Sequence, residues 1–428
     1  MTEPGVWSAT RYTVLSVSAG VVLMGLGLLR GAADVALLGL PVLLAGLWGL
    51  GSTPRTPGTV RLTKAPAAPG RVSAVLELTT PPGSDVVVAR VAVPHHGTLE
   101  AVVHVPHERR LTLTAPTSRT GPHPPYRATT LALGPLGGRT DDPRTATGEP
   151  SLVLPAPTAL RGIPVPHALR GLVGPHTARR GGDGTELRDI APFTPGDRLR
   201  RIDWRATARR SPTLQTLYVR RTLATAEATV LLLVDSRDDL SPDPADSGMP
   251  TPTRREQGSL DHARDAAASV AAHALDRGDR VGLEELSRYR RPVPPGSGRR
   301  HRRRILHALA HTTAHGEAEP RRRAPHLPTG AYVYLFSTFM DDTALTHALT
   351  WRAAGHQVVA VDTLPRLSTD HLPPHVATAW RIIRLERANR LRTLARHDIT
   401  VTAWAPDRDD APPPATAQLQ AAGRRRTR

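Results

Sequence analysis

The chain is predicted to be multidomain, with an amino-terminal transmembrane helical hairpin, a β-sandwich-like module and a doubly wound α/β domain. Three observations predict this. Two uncharged apolar runs stand near the amino terminus, short Val/Leu/Thr-rich runs punctuated by Pro and Gly follow, and from Ala228 onward apolar strands alternate with helical patterns. At 428 residues the chain is also too long for one ordinary compact domain.

The hairpin occupies residues 1–55. Tyr12–Leu29 and Val35–Leu50 carry no charge and at the helical rise reach about 27 and about 24 Å, near the hydrocarbon thickness of a bilayer. The link, Arg30-Gly-Ala-Ala-Asp34, suits only a tight hairpin, and the second run argues against a cleaved signal peptide. Arg11, Arg55, Arg61, Lys64 and Arg71 flank the outer ends, against Arg30 alone in the link. The positive-inside bias therefore predicts a two-span, multi-pass cell-membrane protein with both termini and the soluble domains cytoplasmic. Trp7 and Trp48 then fall at one headgroup level, in contact with inner-membrane lipids, and Ala45-xxx-Gly49 permits close helix approach.

Residues 56–157 form the β-rich region. A Pro/Gly/Thr-rich stretch over 52–70 reads as a linker. Strands are expected at Val72–Thr79, Val86–Val93, Leu99–Val105, Leu111–Thr114 and Tyr126–Leu133, a spacing typical of an antiparallel sandwich or small barrel. Tyr126 is the region's only aromatic residue, so a modest aliphatic core is expected.

Residues 227–407 carry the α/β pattern. Thr229–Asp235 is a continuous apolar run ending in a carboxylate, as a central parallel strand requires. Helices are expected at Leu260–Leu275, His301–His315, Thr343–Ala354 and Ala388–His397. The strands between and after them are Val281–Leu286, Ala331–Ser337, Gln357–Asp362 and Thr400–Trp404. Alternation of this kind implies a parallel sheet with right-handed crossovers. The tail over 408–428 is Pro/Ala-rich, ends in arginines and is expected to be disordered.

Composition excludes several chemistries. With no cysteine there is no disulfide, thiolate nucleophile, zinc–thiolate site or iron–sulfur cluster. Lys64 is the only lysine and stands in Leu-Thr-Lys-Ala-Pro, outside any Gly-rich phosphate loop, which excludes a P-loop NTPase. The net charge of +18 favours anionic partners, but its arginines are spread over the whole chain without a recognition motif, so no specific nucleic acid is expected.

The densest stretch lies in the linking segment, residues 158–226. There Glu186, Asp189, Pro195-Gly196, Asp197, Arg201, Asp203, Trp204 and Arg209 interleave acids with arginines around a turn. Bidentate guanidinium–carboxylate pairs suggest a rigid polar lattice with Trp204 as its apolar pin. So many arginines keep the aspartates ionised, which disfavours an acid–base role and leaves no catalytic residue assigned. The run LRDIAPFTPGDRLRRIDWRATARR closely resembles the signature of the bacterial "domain of unknown function 58" family. The resemblance extends to the layout and implies that the α/β part is a von Willebrand factor A-like, Rossmann-type domain. It also implies a membrane-anchored protein working with a MoxR-type AAA+ ATPase.

Such domains often hold Mg²⁺ through Asp-x-Ser-x-Ser after the first strand, so the resemblance raises a metal site. Here Asp235 matches the leading aspartate, while Arg237 and Asp239 stand at the serine positions and Thr338 where a later aspartate is expected. Arg237 brings a permanent positive charge where the ion would sit, and Asp341 reaches the site only if its loop is shifted. The degenerate candidates are Asp235, Asp239 and Asp341; Mg²⁺ is disfavoured and no other cofactor is expected. His307, His311 and His315 share a helical face without a carboxylate and read as an exposed helix. The expected function is a non-enzymatic adaptor or scaffold. The alternatives are a metal-dependent hydrolase at the crevice and an anionic-lipid or nucleic-acid surface binder.

Overall fold

The computed structural model describes residues 7–51, 58–68, 70–80, 84, 86–160, 176–226, 228–243, 256–286, 291–314, 324–367 and 372–404. The expected tail over 408–428 and His315 lie outside the described residues. Two compact units result. One comprises Met1–Ser118, Pro122–Val153 and Pro250–Arg255; the other comprises Arg119–Gly121, Leu154–Met249 and Glu256–Arg428.

In the first unit a short strand, β1 (Ser8–Ala9), precedes the helices α1 (Arg11–Arg30) and α2 (Ala33–Gly51). Both are long and apolar enough to cross a membrane. Thr10 caps α1, its hydroxyl accepting from the Thr13 N–H, and Gly31 ends the helix in the left-handed region at φ 65°. The close approach of the two helices does not use Ala45-xxx-Gly49. A Cβ on Gly20 would lie 2.8 Å from Leu43 and one on Gly27 2.5 Å from Ala36, while Gly39 and Gly46 meet α1 from the other side. Each pair is spaced by one heptad, so one residue per two turns faces the partner and only hydrogen fits.

The β-module follows with β2 (Thr59–Lys64), β3 (Arg71–Thr79), β4 (Val86–Val93), β5 (Gly97–His104), β6 (Glu108–Pro116), β7 (Gly121–His123), β8 (Arg127–Leu133), β9 (Arg139–Thr140), β10 (Arg144–Thr147) and β11 (Ser151–Val153). One sheet runs β1-β9-β8-β4-β5, with β10 also on β8; a second runs β2-β3-β6. All of these pairings are antiparallel. Alternate residues of β3 (Val72, Ala74, Leu76, Leu78) and of β4 and β8 (Val87, Val91, Ala128, Ala132) meet in one core, as a period of two dictates. The expected linker over 52–70 contains β2, whose Val60 and Leu62 alternate with polar residues and pair with β3. Trp7 packs against this core, so Tyr126 is not its only aromatic residue. The Tyr126 hydroxyl donates to the Val72 carbonyl at 2.9 Å.

The second unit opens with a two-stranded antiparallel arm, β12 (His176–Pro192) with β13 (Tyr218–Ala226), interrupted by the short helix α3 (Trp204–Arg210). Then come β14 (Thr229–Val234), α4 (Ser259–Asp276), β15 (Arg280–Glu285), β16 (Val293–Gly296), α5 (Gly298–Ala310), β17 (Tyr332–Ser337), α6 (Asp342–Ala353), β18 (Gln357–Asp362), α7 (Pro374–Arg396) and β19 (Thr400–Ala403). The sheet order is β16-β15-β14-β17-β18-β19, parallel except for β16. Val230, Leu232 and Val234 pack beneath α4 and α5, while Leu231 and Leu233 face the residues of α6 and α7. The sheet is thus covered on both faces, as a continuous apolar β14 requires. The chain leaves β14 toward β15 on one side and returns to β17 on the other, so a crevice opens at the carboxyl ends of β14 and β17.

Candidate functional site

Two constellations carry the residues expected from the sequence: the arm with α3, and the carboxyl-end crevice. In the arm, Pro195-Gly196 forms a turn closed by the Asp197 N–H donating to the Thr194 carbonyl at 3.0 Å, with Gly196 at φ 104°. The Asp197 carboxylate accepts from the Thr194 N–H and hydroxyl, both at 2.9 Å, and from Arg221 at 3.0 Å. These bonds, led by that of Arg221, hold its pKa down to about 2. Asp203 caps α3, accepting from the Ala206 N–H at 3.0 Å, and lies 3.9 Å from Arg220. Thr207 is buried and its hydroxyl accepts from the Tyr218 N–H at 2.9 Å, fastening α3 to β13.

Asp197 and Asp203 meet Arg221 and Arg220 of β13, which stand across the arm rather than adjacent in sequence. Antiparallel register sets Asp189 opposite Arg221 and brings side chains of β13 within reach across the arm. Asp189 itself lies 3.8 Å from Arg188, while Glu186 and Arg209 are exposed and Arg201 is half-buried in a single 3-10 turn. Trp204 is no pin. It stands at the first position of α3 with 63% of its surface exposed, in a stretch that also exposes Leu199 at 69% and Leu214 at 57%.

The crevice is tied by arginines. Arg237 donates from Nε to Asp235 Oδ1 at 2.9 Å and from Nη2 to Asp235 Oδ2 at 2.7 Å. The same guanidinium donates to Asp341, from Nη2 at 3.0 Å and also from Nη1. Burial opposes the charge of Arg237, but the bonds to Asp235 and Asp341 outweigh it and raise its pKa above the ordinary value. Burial likewise opposes ionisation of Asp341, yet its bond to Arg237 holds its pKa below the usual carboxylate range. Ser337 adds a hydroxyl bond to Asp235 Oδ2 at 2.7 Å and accepts from the Phe339 N–H at 3.1 Å. Phe339 is fully buried with φ 55°, a left-handed conformation that costs a non-glycine residue about 1–2 kcal/mol and sets the course of the loop to Asp341. Asp341 also caps α6, accepting from the Thr343 N–H at 3.0 Å.

Two further arginines from α7 reach this edge. Arg387 donates to the Thr338 carbonyl at 2.7 Å and pairs with Asp362, while Arg390 donates to Asp342 at 2.6 Å. Asp239 is directed elsewhere, accepting from the Leu260 N–H at 3.3 Å and from Arg119 at 3.3 Å. Of the three metal candidates, then, Asp235 and Asp341 come together on one guanidinium and Asp239 does not join them. The donor set implied for Mg²⁺ does not fit, because the oxygens that would ligate it are bonded to Arg237.

Next to Asp239, the fully buried Asp261 accepts from Arg264 at 2.9 Å and from the Thr120 and Gly258 N–H groups. Neither it nor Arg264 stood out in the sequence; an i, i+3 acid–base pair inside an apolar helix is the signal that marks them. His307 and His311 line a cleft of about 470 Å³ with Glu284 and Arg291. No group of three or more His, Asp or Glu positioned to hold a metal occurs among the described residues.

The arm from Asp189, α3, the crevice and the sheet through β18 coincide with a known family. The model described as "Protein of unknown function DUF58" matches residues 189–375. That stretch of the chain, from the arm through the sheet, carries the family's pattern. No curated protein matches the sequence. Among solved structures, the alkylpurine DNA glycosylase AlkC of Pseudomonas fluorescens, bound to DNA containing an abasic site analog, is similar at 16% identity. That match covers 28% of this chain and 38% of the glycosylase, with a TM-score of 0.14. A GH20 exo-β-N-acetylglucosaminidase of Vibrio harveyi is similar at 8% identity over 81% of this chain and 76% of that one, with a TM-score of 0.16. At such scores neither likeness bears on fold or function.

Proposed function

We propose that this protein is a membrane-anchored, non-enzymatic adaptor. Its second unit, read as a von Willebrand factor A-like domain on the cytoplasmic side, presents the arm and α3 to a protein partner. The observation that supports this most is the exposure of Trp204 beside Leu199 and Leu214 amid arginines. A tryptophan that contributes little to its own core is a typical anchor for a partner surface, and the surrounding guanidiniums suit an acidic rim. The family resemblance points to a MoxR-type AAA+ ATPase as that partner. A hydrolase at the crevice is less well supported, because Asp341 is held ionised by Arg237 and both oxygens of Asp235 are bonded to the same guanidinium.

The test is retention of an AAA+ ATPase from detergent-solubilised membranes by the wild-type chain and by Trp204→Ala. The wild type should retain it and the variant should lose at least tenfold, while its melting midpoint stays put. Absence of the ATPase from the wild-type eluate, or equal retention by the variant, would refute the reading.

A second reading rests on α7. Its amino-terminal half exposes Ile382 at 56% and Leu385 at 63%, beside Arg381 and Arg384. An apolar and basic helix face is suited to an anionic lipid surface. Cosedimentation with phosphatidylglycerol vesicles that collapses on raising salt, and on Ile382→Ser/Leu385→Ser, would favour it.

A further inference from the structure

The crevice at the ends of β14 and β17 has the chemistry of a hard-cation site with one substitution. Asp235 at the end of β14 and Asp341 in the loop after β17 converge on a single positive group, and Ser337 at the end of β17 bonds Asp235 beside it. Carboxylate and hydroxyl oxygens are the ligands that divalent ions such as Mg²⁺ and Ca²⁺ take, at about 2.1–2.6 Å. Here the group they surround is the guanidinium of Arg237, with contacts of 2.7–3.0 Å to both carboxylates. The Arg237 side chain is 10% exposed and that of Asp235 6%, so neither charge has water to fall back on. A guanidinium is permanently charged and planar, and it reaches two carboxylates at once with pairs of N–H groups.

We infer that Arg237 is a covalently tethered substitute for a divalent cation, holding the β14 and β17 loops and the start of α6 together without metal. The geometry has two consequences. The crevice keeps one arrangement whatever the ion concentration, so contacts made through it are insensitive to chelation. Removal of the guanidinium leaves two facing carboxylates and a hydroxyl with a deficit of positive charge, a site that a hard cation fills.

The experiment uses the full chain in detergent and Mn²⁺ as the probe, followed by electron paramagnetic resonance of the free ion. Wild type should show no saturable Mn²⁺ uptake at this crevice, and its melting midpoint should be the same in chelator and in millimolar Mg²⁺. Arg237→Ser should gain one saturable Mn²⁺ site and a midpoint that rises with Mg²⁺, and both gains should vanish in Arg237→Ser/Asp235→Asn. Saturable Mn²⁺ binding by the wild type that is abolished by Asp235→Asn would overturn the inference. So would a folded Arg237→Ser that binds no Mn²⁺. If Arg237→Ser fails to fold, the wild-type and Asp235→Asn titrations still decide, since they ask whether the native crevice takes an ion.

Discussion

The arm and the crevice are built from the same two residue types and behave as opposites. In the arm, Asp197 meets Arg221 and Asp203 meets Arg220 with the arginine side chains 31% and 59% exposed. In the α/β domain, Arg237 with Asp235, and Arg264 with Asp261, are nearly or wholly shut off from water. Exposed pairs are worth about 0–1 kcal/mol, whereas removing one member of a buried pair costs about 3–5 kcal/mol. The density of charge in the arm is thus poorly explained as a stability device. Its arginines and Trp204 stay open to solvent, while the crevice directs its charge to its own integrity.

That contrast is sharpest at Asp261. Desolvation opposes its charge, but Arg264 and Arg119 overcome it and keep its pKa below the ordinary value. Asp261→Ala leaves Arg264 buried without its carboxylate and should lower the unfolding free energy by about 3–5 kcal/mol in a denaturant titration. A loss below 1 kcal/mol would erase the distinction between the two regions.

Asp265 lies one helical turn further along α4 and lacks a guanidinium partner of that quality. Gln257 donates to its Oδ2 at 2.9 Å, while no hydrogen bond reaches Oδ1. Burial, reinforced by the charge of Asp261, pushes its pKa up to about 7. The native state therefore keeps a proton that the unfolded chain releases above the ordinary carboxylate pKa of about 3.9. Its contribution to stability is full below that value and is lost as pH rises toward about 7. Asp265→Asn should flatten the pH dependence in this window by up to about 1.4 kcal/mol per pH unit.

The smallest effect is expected in the arm. Asp197→Asn should leave the melting midpoint unchanged at neutral pH. Because its pKa is lowered to about 2, any contribution is full above the ordinary carboxylate pKa of about 3.9 and is lost progressively as pH falls from there through about 2. An acid-unfolding curve that matches wild type down to pH ~5 is the expected outcome.

Legibility followed the same divide. The sheet of the second unit could be read because β14 is apolar at every position and its neighbours repeat the pattern; β18, Gln357–Asp362, fell where its residues predict. Helix α7 begins at Pro374, well before the expected Ala388. Its first half exposes Ile382 and Leu385, so no apolar stripe marked it. Strand β2 was hidden because its Arg61, Thr63 and Lys64 face outward in a stretch flanked by Pro and Gly. Asp235 and Arg237 announced themselves by spacing. Their meeting with Asp341 depends on the turn at Phe339, and no local pattern encodes a left-handed phenylalanine. Trp204 stands exposed at the start of α3, and Arg220 and Arg221, which meet Asp203 and Asp197, lie across the arm on β13, where sequence adjacency gives no sign of them.

The foot of the helical hairpin is bonded directly to the β-module. The Thr10 hydroxyl donates to the Gly137 carbonyl and that of Thr13 to the Gly138 carbonyl, each at 2.8 Å, while Gly49 of α2 abuts Gly138. With the helices zipped through glycine and both pressed on one short bend, there is no slack between them and the sheet beside that bend. A tilt or twist of the pair is handed on mechanically to β8 and β9, making the hairpin a strut.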